Sequence, residues 1–259
     1  MAQQVNQVKE IFFNTLGDSK VRAENFRNKL ATADSGLVFT QESDVLVSET
    51  LTRDGLFHSV SRQNAEDGTL VFLRNDLWKA DYQVLSIEDY EGFAKGRLNV
   101  ILAKNKQTGT NFLLASAHGN STRAEDGRLQ ISLIMKKFEE LQMLPENTDL
   151  QVIIGTDANT KNEEDVIALR EHLDGLGLIG TSVGPTTIKQ RMVTVQHSKA
   201  GRSAIDEEDY LIVLKRQKGG AFLLRDATVG FKKEKPDVNA PLPNNENPSD
   251  HYPVGAILR

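Results

Sequence analysis

The chain has 259 residues, 39% hydrophobic and 26% charged, the balance of a globular protein with material for one large or two small cores. It contains no cysteine, which excludes disulfides, thiolate zinc sites and a cysteine nucleophile together. A net charge of −5 argues against a general electrostatic affinity for nucleic acid, although a metal-filled cleft inverts the local sign and leaves a nuclease open.

In chain order, the opening "MAQQVNQVKEIFF" has no basic region followed by a long apolar stretch, so no secretory signal is read and a cytoplasmic location is expected. No apolar run approaches the roughly 18 residues of a membrane span. "VKEIFF" predicts a first strand, and "SKVRAENFRNKLATA" a helix with Val21, Phe26 and Leu30 on one face. "SGLVF", "GTLVFLR" and "RLNVILAKN" predict strands, and "NKQTGTN" turns the last of them into "FLLASA". "EDGRLQISLIMKKFEELQ" is the clearest helix, with Leu129, Leu133, Met135, Phe138 and Leu141 at near-helical spacing. Strand "LQVII", helix "EEDVIALREHL" and strands "DYLIVL", "GAFLLRDATV" and "YPVGAIL" complete the chain. The predicted class is α/β (α+β in another nomenclature), with two mixed, largely antiparallel sheets covered by helices. One long Pro- and Asn-rich loop, "KPDVNAPLPNNENPS", leads to Asp250 and His251.

The strand ends share an oddity. "LVF" runs into "TQESD" with Gln41 and Glu42, and "FLLASA" into "HGNS" with His118 and Asn120. "VII" runs into "GTDANT" with Asp157 and Asn159; "IDEED", with Asp206 and Asp209, precedes "YLIVL", and Ser249-Asp250-His251 precedes the last strand. Singly, Asp and Asn after a strand are turn formers. Antiparallel neighbours put the end of one strand beside the start of the next, so one sheet edge can gather Glu42, His118, Asp157, Asn159, Asp209, Asp250 and His251 in a cleft. His58, His172 and His197 have no such motif and are read as structural, and "EEDV" as a helix start.

The order Asn14 in "FFNTLG", "QE" at Gln41-Glu42, "HGNS", "GTDANT", "EDYLIV" and "SDHYPV" resembles the endonuclease/exonuclease/phosphatase superfamily, over Ile11 to Leu258. "HGNSTRAEDGRLQ" is also similar to a segment of tyrosyl-DNA phosphodiesterases. The family's Gly-Asp-Phe-Asn becomes Gly155-Thr156-Asp157-Ala158-Asn159, its Thr-His becomes Ala117-His118, and its Ile-Asp-Tyr-Ile becomes Glu208-Asp209-Tyr210-Leu211.

The resemblance implies a four-layer α/β sandwich in one domain over residues 1–259, and hydrolysis of phosphoester bonds with Mg²⁺, for which Mn²⁺ substitutes. It implies Glu42 as the main metal ligand with Asn14 and Asp250 beside it, and Asp157 positioning or deprotonating water. Asn159 and His118 would donate hydrogen bonds to phosphate, and His251 would contact phosphate or assist proton transfer with Asp209 holding its tautomer. Asp209 is preferred to Asp206 because it leads directly into the strand, whereas Glu207 and Glu208 are read as a solvated run after Asp206. Lys189 and Arg191 are candidates for a phosphate-binding rim, with a solvated loop as the other reading. The expected substrate is nucleic acid. Inositol phosphates or lipid headgroups, and a catalytically silent binding module, stay open as alternatives.

Overall fold

The computed structural model describes residues 8–14, 20–43, 45–60, 68–85, 96–123, 125–181, 187–189, 204–215, 224–229 and 254–258. The first half contains β1 (Val8–Asn14), α1 (Lys20–Thr32), β2 (Ser35–Gln41), α2 (Val45–Thr52), β3 (Phe57–Val60), β4 (Leu70–Arg74), β5 (Gln83–Leu85), β6 (Leu98–Lys104) and β7 (Asn111–His118). The second contains α3 (Glu125–Gln142), β8 (Gln151–Asp157), α4 (Glu163–Gly175), β9 (Leu178–Gly180), β10 (Thr187–Lys189), β11 (Ala204–Asp206), β12 (Asp209–Leu214), β13 (Leu224–Val229) and β14 (Val254–Leu258).

Two six-stranded sheets form the frame, ordered β13-β14-β1-β2-β4-β3 and β5-β6-β7-β8-β12-β9, and β10 and β11 pair separately. The β1–β2 and β7–β8 pairs are parallel, and the other pairs are antiparallel. Three apolar clusters define the layers. Leu37, Phe39, Val71 and Leu73 of the first sheet meet Ile101, Leu114, Ile153, Leu211 and Val213 of the second. Phe26 and Leu30 of α1 and Val47 and Leu51 of α2 cover the outer face of the first sheet through Val38 and Phe72. Ile131, Ile134, Met135 and Phe138 of α3, with Leu169 and Leu173 of α4, cover the second through Leu113, Val152 and Ile154. The result is a four-layer α/β/β/α sandwich.

The helices start for local reasons. Asn162 caps α4 by accepting a hydrogen bond from the Asp165 N–H at 2.9 Å, and three acidic residues occupy its first turn against the macrodipole. In α3, Glu125 and Asp126 play the acidic part, and Arg123 donates to Asp126 at 2.9 Å. The buried face of α3 differs from the sequence expectation. It runs through Gly127, Gln130, Ile131, Ile134, Met135 and Phe138, with Leu129 and Leu133 to the side. Isoleucines at i and i+3 followed by Phe138 at i+7 make the tighter stripe, and the polar Gln130 inside it hid the face from a reading by hydrophobicity.

One glycine sets the gap between the sheets. A Cβ on Gly155 would lie 2.5 Å from Cβ and Cγ of Phe39, so only glycine lets β2 and β8 approach this closely. That approach occurs two residues before Asp157, at the end of the sandwich where the polar strand ends gather.

Candidate active site

Strand alternation decides which polar residues share a face. In β7, Phe112 and Leu114 enter the inter-sheet core while Leu113, Ala115 and Ala117 face α3, so Ser116 and His118 continue the inter-sheet row. In β8, Ile153 points between the sheets, and Gly155 and Asp157 follow at the same parity. In β12, Leu211 and Val213 do so, and Asp209 opens the strand in phase with them. In β2, Leu37 and Phe39 are followed in phase by Gln41. Each row is apolar in the middle of the sandwich and polar at one end.

Register brings those ends side by side. His118 pairs with Asp157 across the parallel β7–β8 ladder, and Asp157 with Asp209 across the antiparallel β8–β12 ladder. Strands are spaced at about 4.8 Å, so the three form one line across the edge of the second sheet. In the first sheet, Asn14 pairs with Gln41, which puts the end of β1 beside the residue preceding Glu42.

The two edges meet at His118. Its Nε2 lies 3.7 Å from Glu42 Oε1 and 3.8 Å from Asp157 Oδ2, ion-pair distances too long for hydrogen bonds. His118 and Asp157 have side chains 3% exposed, whereas Glu42 is 35% exposed and forms the open side. Asp209 is fully buried.

The turn after β8 is closed by its own residues. Asp157 Oδ1 accepts from the Asn159 backbone N–H at 2.9 Å, an Asx-turn, and Asn159 takes the left-handed conformation at φ 52°. The Asn159 amide donates to the Gly119 carbonyl at 2.9 Å. The turn-forming role expected of an isolated Asp is therefore present, and it occupies one carboxylate oxygen while the other faces His118. Gly119 N–H donates to the Asp157 carbonyl at 2.7 Å, and His118 N–H to the Arg97 carbonyl at 2.8 Å. From α3, the fully buried Gln130 donates to the His118 carbonyl at 2.9 Å. Cβ atoms added at Gly119 or Gly127 would come within 3.1 Å and 2.9 Å of the Ala158 carbonyl oxygen, so both glycines admit the turn as a close neighbour.

The turn after β2 is built differently. Glu42 has φ 51°, a conformation uncommon for a residue with a long side chain. Ser43 N–H donates to the Gly68 carbonyl at 3.1 Å, and a Cβ on Gly68 would overlap the Ser43 backbone. On the other side, Gln41 Nε2 donates to Ser116 Oγ at 2.8 Å and lies 3.5 Å from the Gly155 carbonyl; Ser116 Oγ in turn donates to the Thr40 carbonyl at 3.0 Å. Gln41 Oε1 is buried with no hydrogen-bond partner among the described residues, a state that costs about 1–3 kcal/mol.

A third segment supports the edge. Ala158 N–H donates to the Glu208 carbonyl at 2.8 Å, and the Glu207 carbonyl accepts from Thr160 and from Tyr210 Oη, the latter at 2.9 Å. Glu208 is 1% exposed, and Glu207 pairs with Arg170 at 3.4 Å. The expectation of a solvated Glu207-Glu208 run is thus corrected: main-chain bonds to the Asp157–Thr160 turn pull it inward. Burial raises the Glu207 carboxyl pKa, and burial likewise raises the Tyr210 hydroxyl.

Glu42, His118, Asp157, Asn159 and Asp209 therefore converge at one end of the sandwich. Asn14 ends β1 there by register, and Lys189 ends β10, which pairs with β11. Asp206 is the last residue of β11. Arg191, Asp250 and His251 lie outside the described residues. His58 stacks on Tyr82 with ring centroids 5.6 Å apart, and His172 meets Ser132 at 3.0 Å between α4 and α3, both away from this edge. The residues that sequence reasoning did not single out are Ser116, Gly155 and Gln130. The available signal for the first two was their in-phase position just before His118 and Asp157.

No protein-family model matches the sequence, and no curated protein matches it by sequence. Solved structures do match in shape. D. rerio TDP2 complexed with a single-strand DNA product aligns with a TM-score of 0.70 at 16% identity, covering 98% of this chain and 99% of that one. An endonuclease/exonuclease/phosphatase from Bacteroides vulgatus gives the same figures. The mannosyl-6-phosphatase of Bacteroides thetaiotaomicron aligns at 0.69 with 13% identity, over 97% and 99% of the two chains. The alignments run over nearly the whole chain: this chain has the endonuclease/exonuclease/phosphatase fold.

Proposed function

We propose that the protein is a divalent-metal-dependent phosphoesterase acting on nucleic acid. The observation that carries this reading is the meeting of Glu42, His118 and Asp157 within 4 Å across two sheet edges. Similar folds belong to TDP2, complexed with a single-strand DNA product, and to a mannosyl-6-phosphatase.

The donors present suit a hard cation. Among the described residues no group of three or more His, Asp or Glu is placed to hold a metal ion by itself. Mg²⁺ is ordinarily held by one or two carboxylates while it keeps several waters, and Glu42 is a partly open carboxylate on the rim. Glu42 would hold the ion with Asn14 and Asp250; once bound, it would neutralise phosphoryl oxygens and the leaving oxygen.

The protein's own groups do the rest. Asp157, whose Oδ2 lies on the side of His118, would orient the attacking water and take its proton as the water oxygen bonds to phosphorus. His118 and the second N–H of the Asn159 amide would donate to the phosphoryl oxygens as charge builds on them. His251, oriented by Asp209, would protonate the leaving oxygen as its bond to phosphorus breaks. Lys189 and Arg191 would contact the phosphate backbone beyond the reacting group.

The test is a panel of single- and double-stranded DNA, RNA, a 5′-tyrosyl oligonucleotide, a hexose 6-phosphate, inositol phosphates and sphingomyelin, with Mg²⁺ or Mn²⁺. Turnover of an oligonucleotide, abolished by chelator, is expected. Turnover confined to the soluble monoesters would make the protein a small-molecule phosphatase, and a folded protein inert to all of them would be a binding module.

A further inference from the structure

We propose that Gln41 is a positioning residue that holds Glu42 in its left-handed conformation by anchoring the end of β2 in the opposite sheet. The inference deepens the phosphoesterase reading, because the residue it positions is the proposed metal ligand. A non-glycine residue at φ 51° persists where its surroundings leave it no alternative. Glu42 has such surroundings on both sides. Behind it, Ser43 bonds to Gly68, whose lack of a side chain permits the approach. Ahead of it, Gln41 is fully buried and reaches Ser116 at 2.8 Å, while Ser116 returns a bond to the Thr40 carbonyl at 3.0 Å.

This loop of bonds crosses from the first sheet to β7 and back. Its far end, Ser116, is two residues from His118 on the same strand face, and Gly155 holds the same relation to Asp157. One amide thus ties the Glu42 edge to the His118–Asp157 edge. The orientation of the amide is set by its partners: Ser116 spends its proton on Thr40, so the group facing Ser116 must be the donor. A glutamine that merely filled core space would not need this arrangement, and an apolar side chain of its size would fill the space better.

The experiment compares Gln41→Met, which keeps length and volume, with Ser116→Ala, the double variant, and Asn99→Leu as control. Asn99 is buried and donates to the Val60 carbonyl at 2.7 Å, another side-chain bond between the sheets but one that does not involve β2. Amide exchange at Ser43, Mn²⁺ half-saturation and turnover are read for each. Gln41→Met and Ser116→Ala should each speed Ser43 exchange by about tenfold while leaving β8 and β12 protected. They should weaken Mn²⁺ binding and cut turnover by about 10–100-fold, the scale of a misplaced site, with the substrate KM little changed. The double variant should lose less than the sum of the two singles, since both remove the Gln41–Ser116 bond. Asn99→Leu should lower the melting temperature without moving Ser43 exchange or turnover.

Unchanged Ser43 exchange in either folded variant, exchange rising equally across both sheets, or additive losses in the double variant would each overturn the proposal. If Gln41→Met does not fold, Ser116→Ala, which removes one oxygen, decides alone. A wild-type protein that hydrolyses nothing overturns the phosphoesterase reading only; local exchange at Ser43 still decides the role of Gln41.

Discussion

The turns after β2 and β8 each put a non-glycine residue into the left-handed region, yet they get there by opposite routes. After β8, Asp157 and Asn159 write the turn themselves: an Asx bond closes it, Asn tolerates positive φ, and its amide ties down Gly119. After β2, Glu42 sits at φ 51° between two longer-range ties, Ser43 to Gly68 and Gln41 to the other sheet. The first turn is encoded by its own residues and the second by tertiary structure. A locally encoded turn survives the loss of distant contacts, whereas an imposed one stores strain that only the whole fold can hold.

The largest effect should come from Glu42→Ala, which removes the exposed carboxylate at the imposed turn. Turnover should fall by about 10³-fold or more with weakened Mg²⁺ dependence, read from rates across a metal titration. Full activity in excess chelator would sink the assignment. Next is the segment supporting the locally encoded turn. Asp209→Asn, at the buried start of β12 opposite Asp157, should cost roughly two to four orders of magnitude, and Asp206→Asn less than about threefold. Side-by-side rates decide, and a larger loss at Asp206 would move the functional carboxylate to β11.

Asp157→Asn separates chemistry from turn. Asn keeps the oxygen that closes the Asx bond, so the melting curve should be nearly unchanged while the rate falls about a hundredfold. A collapsed melting curve would make Asp157 a turn former only. The comparison itself is broken or sharpened by glycine. Glu42→Gly relieves left-handed strain of roughly 1 kcal/mol, so melting should rise by about 2 °C, or at least hold, while activity is lost. Asn159→Gly keeps the backbone but loses the bond to Gly119, and melting should fall by about 3 °C. Equal shifts of the same sign would show that the two turns are held alike.

The smallest effect is a pH dependence at Glu207. Burial raises its carboxyl pKa in the fold, so its stabilising contribution is present below the unfolded pKa and is lost as pH rises through the folded one. Glu207→Gln should therefore gain stability relative to wild type between mildly acidic and neutral pH, seen in denaturant midpoints at pH 4 and 7. A difference that shrinks with rising pH would show that the Arg170 pair outweighs burial.

Much of this was legible in the sequence because the strands that carry the site are long and apolar. β7 and β8 announce themselves, and His118 and Asp157 stand out as polar residues at their ends. α4 was legible from its acidic start. Strands β5, β9, β10 and β11 have three residues each, too few for alternation to register; β5 and β9 pair with longer neighbours, and β10 and β11 with each other. α2, "VLVSETLT", carries β-branched residues that favour strand, and is helical because Val47 and Leu51 pack with α1. Gln130 and Ser116 escaped because a buried polar residue has no periodic signature; its reason is a partner far away in the chain.

That distance has a kinetic meaning. Gln41 reaches Ser116 across 75 residues and Gly155 across 114, so the join between the two edges is assembled from contacts of high sequence separation. Each such contact requires a large loop to close before it returns any free energy, and the parallel β1–β2 and β7–β8 pairs add further slow steps. Helices α3 and α4 can form early from local interactions, while the Glu42–His118–Asp157 meeting must wait for both sheets to dock. In refolding, far-ultraviolet ellipticity should therefore recover before activity, and a chain caught between the two would have most of its helix and none of the proposed active edge.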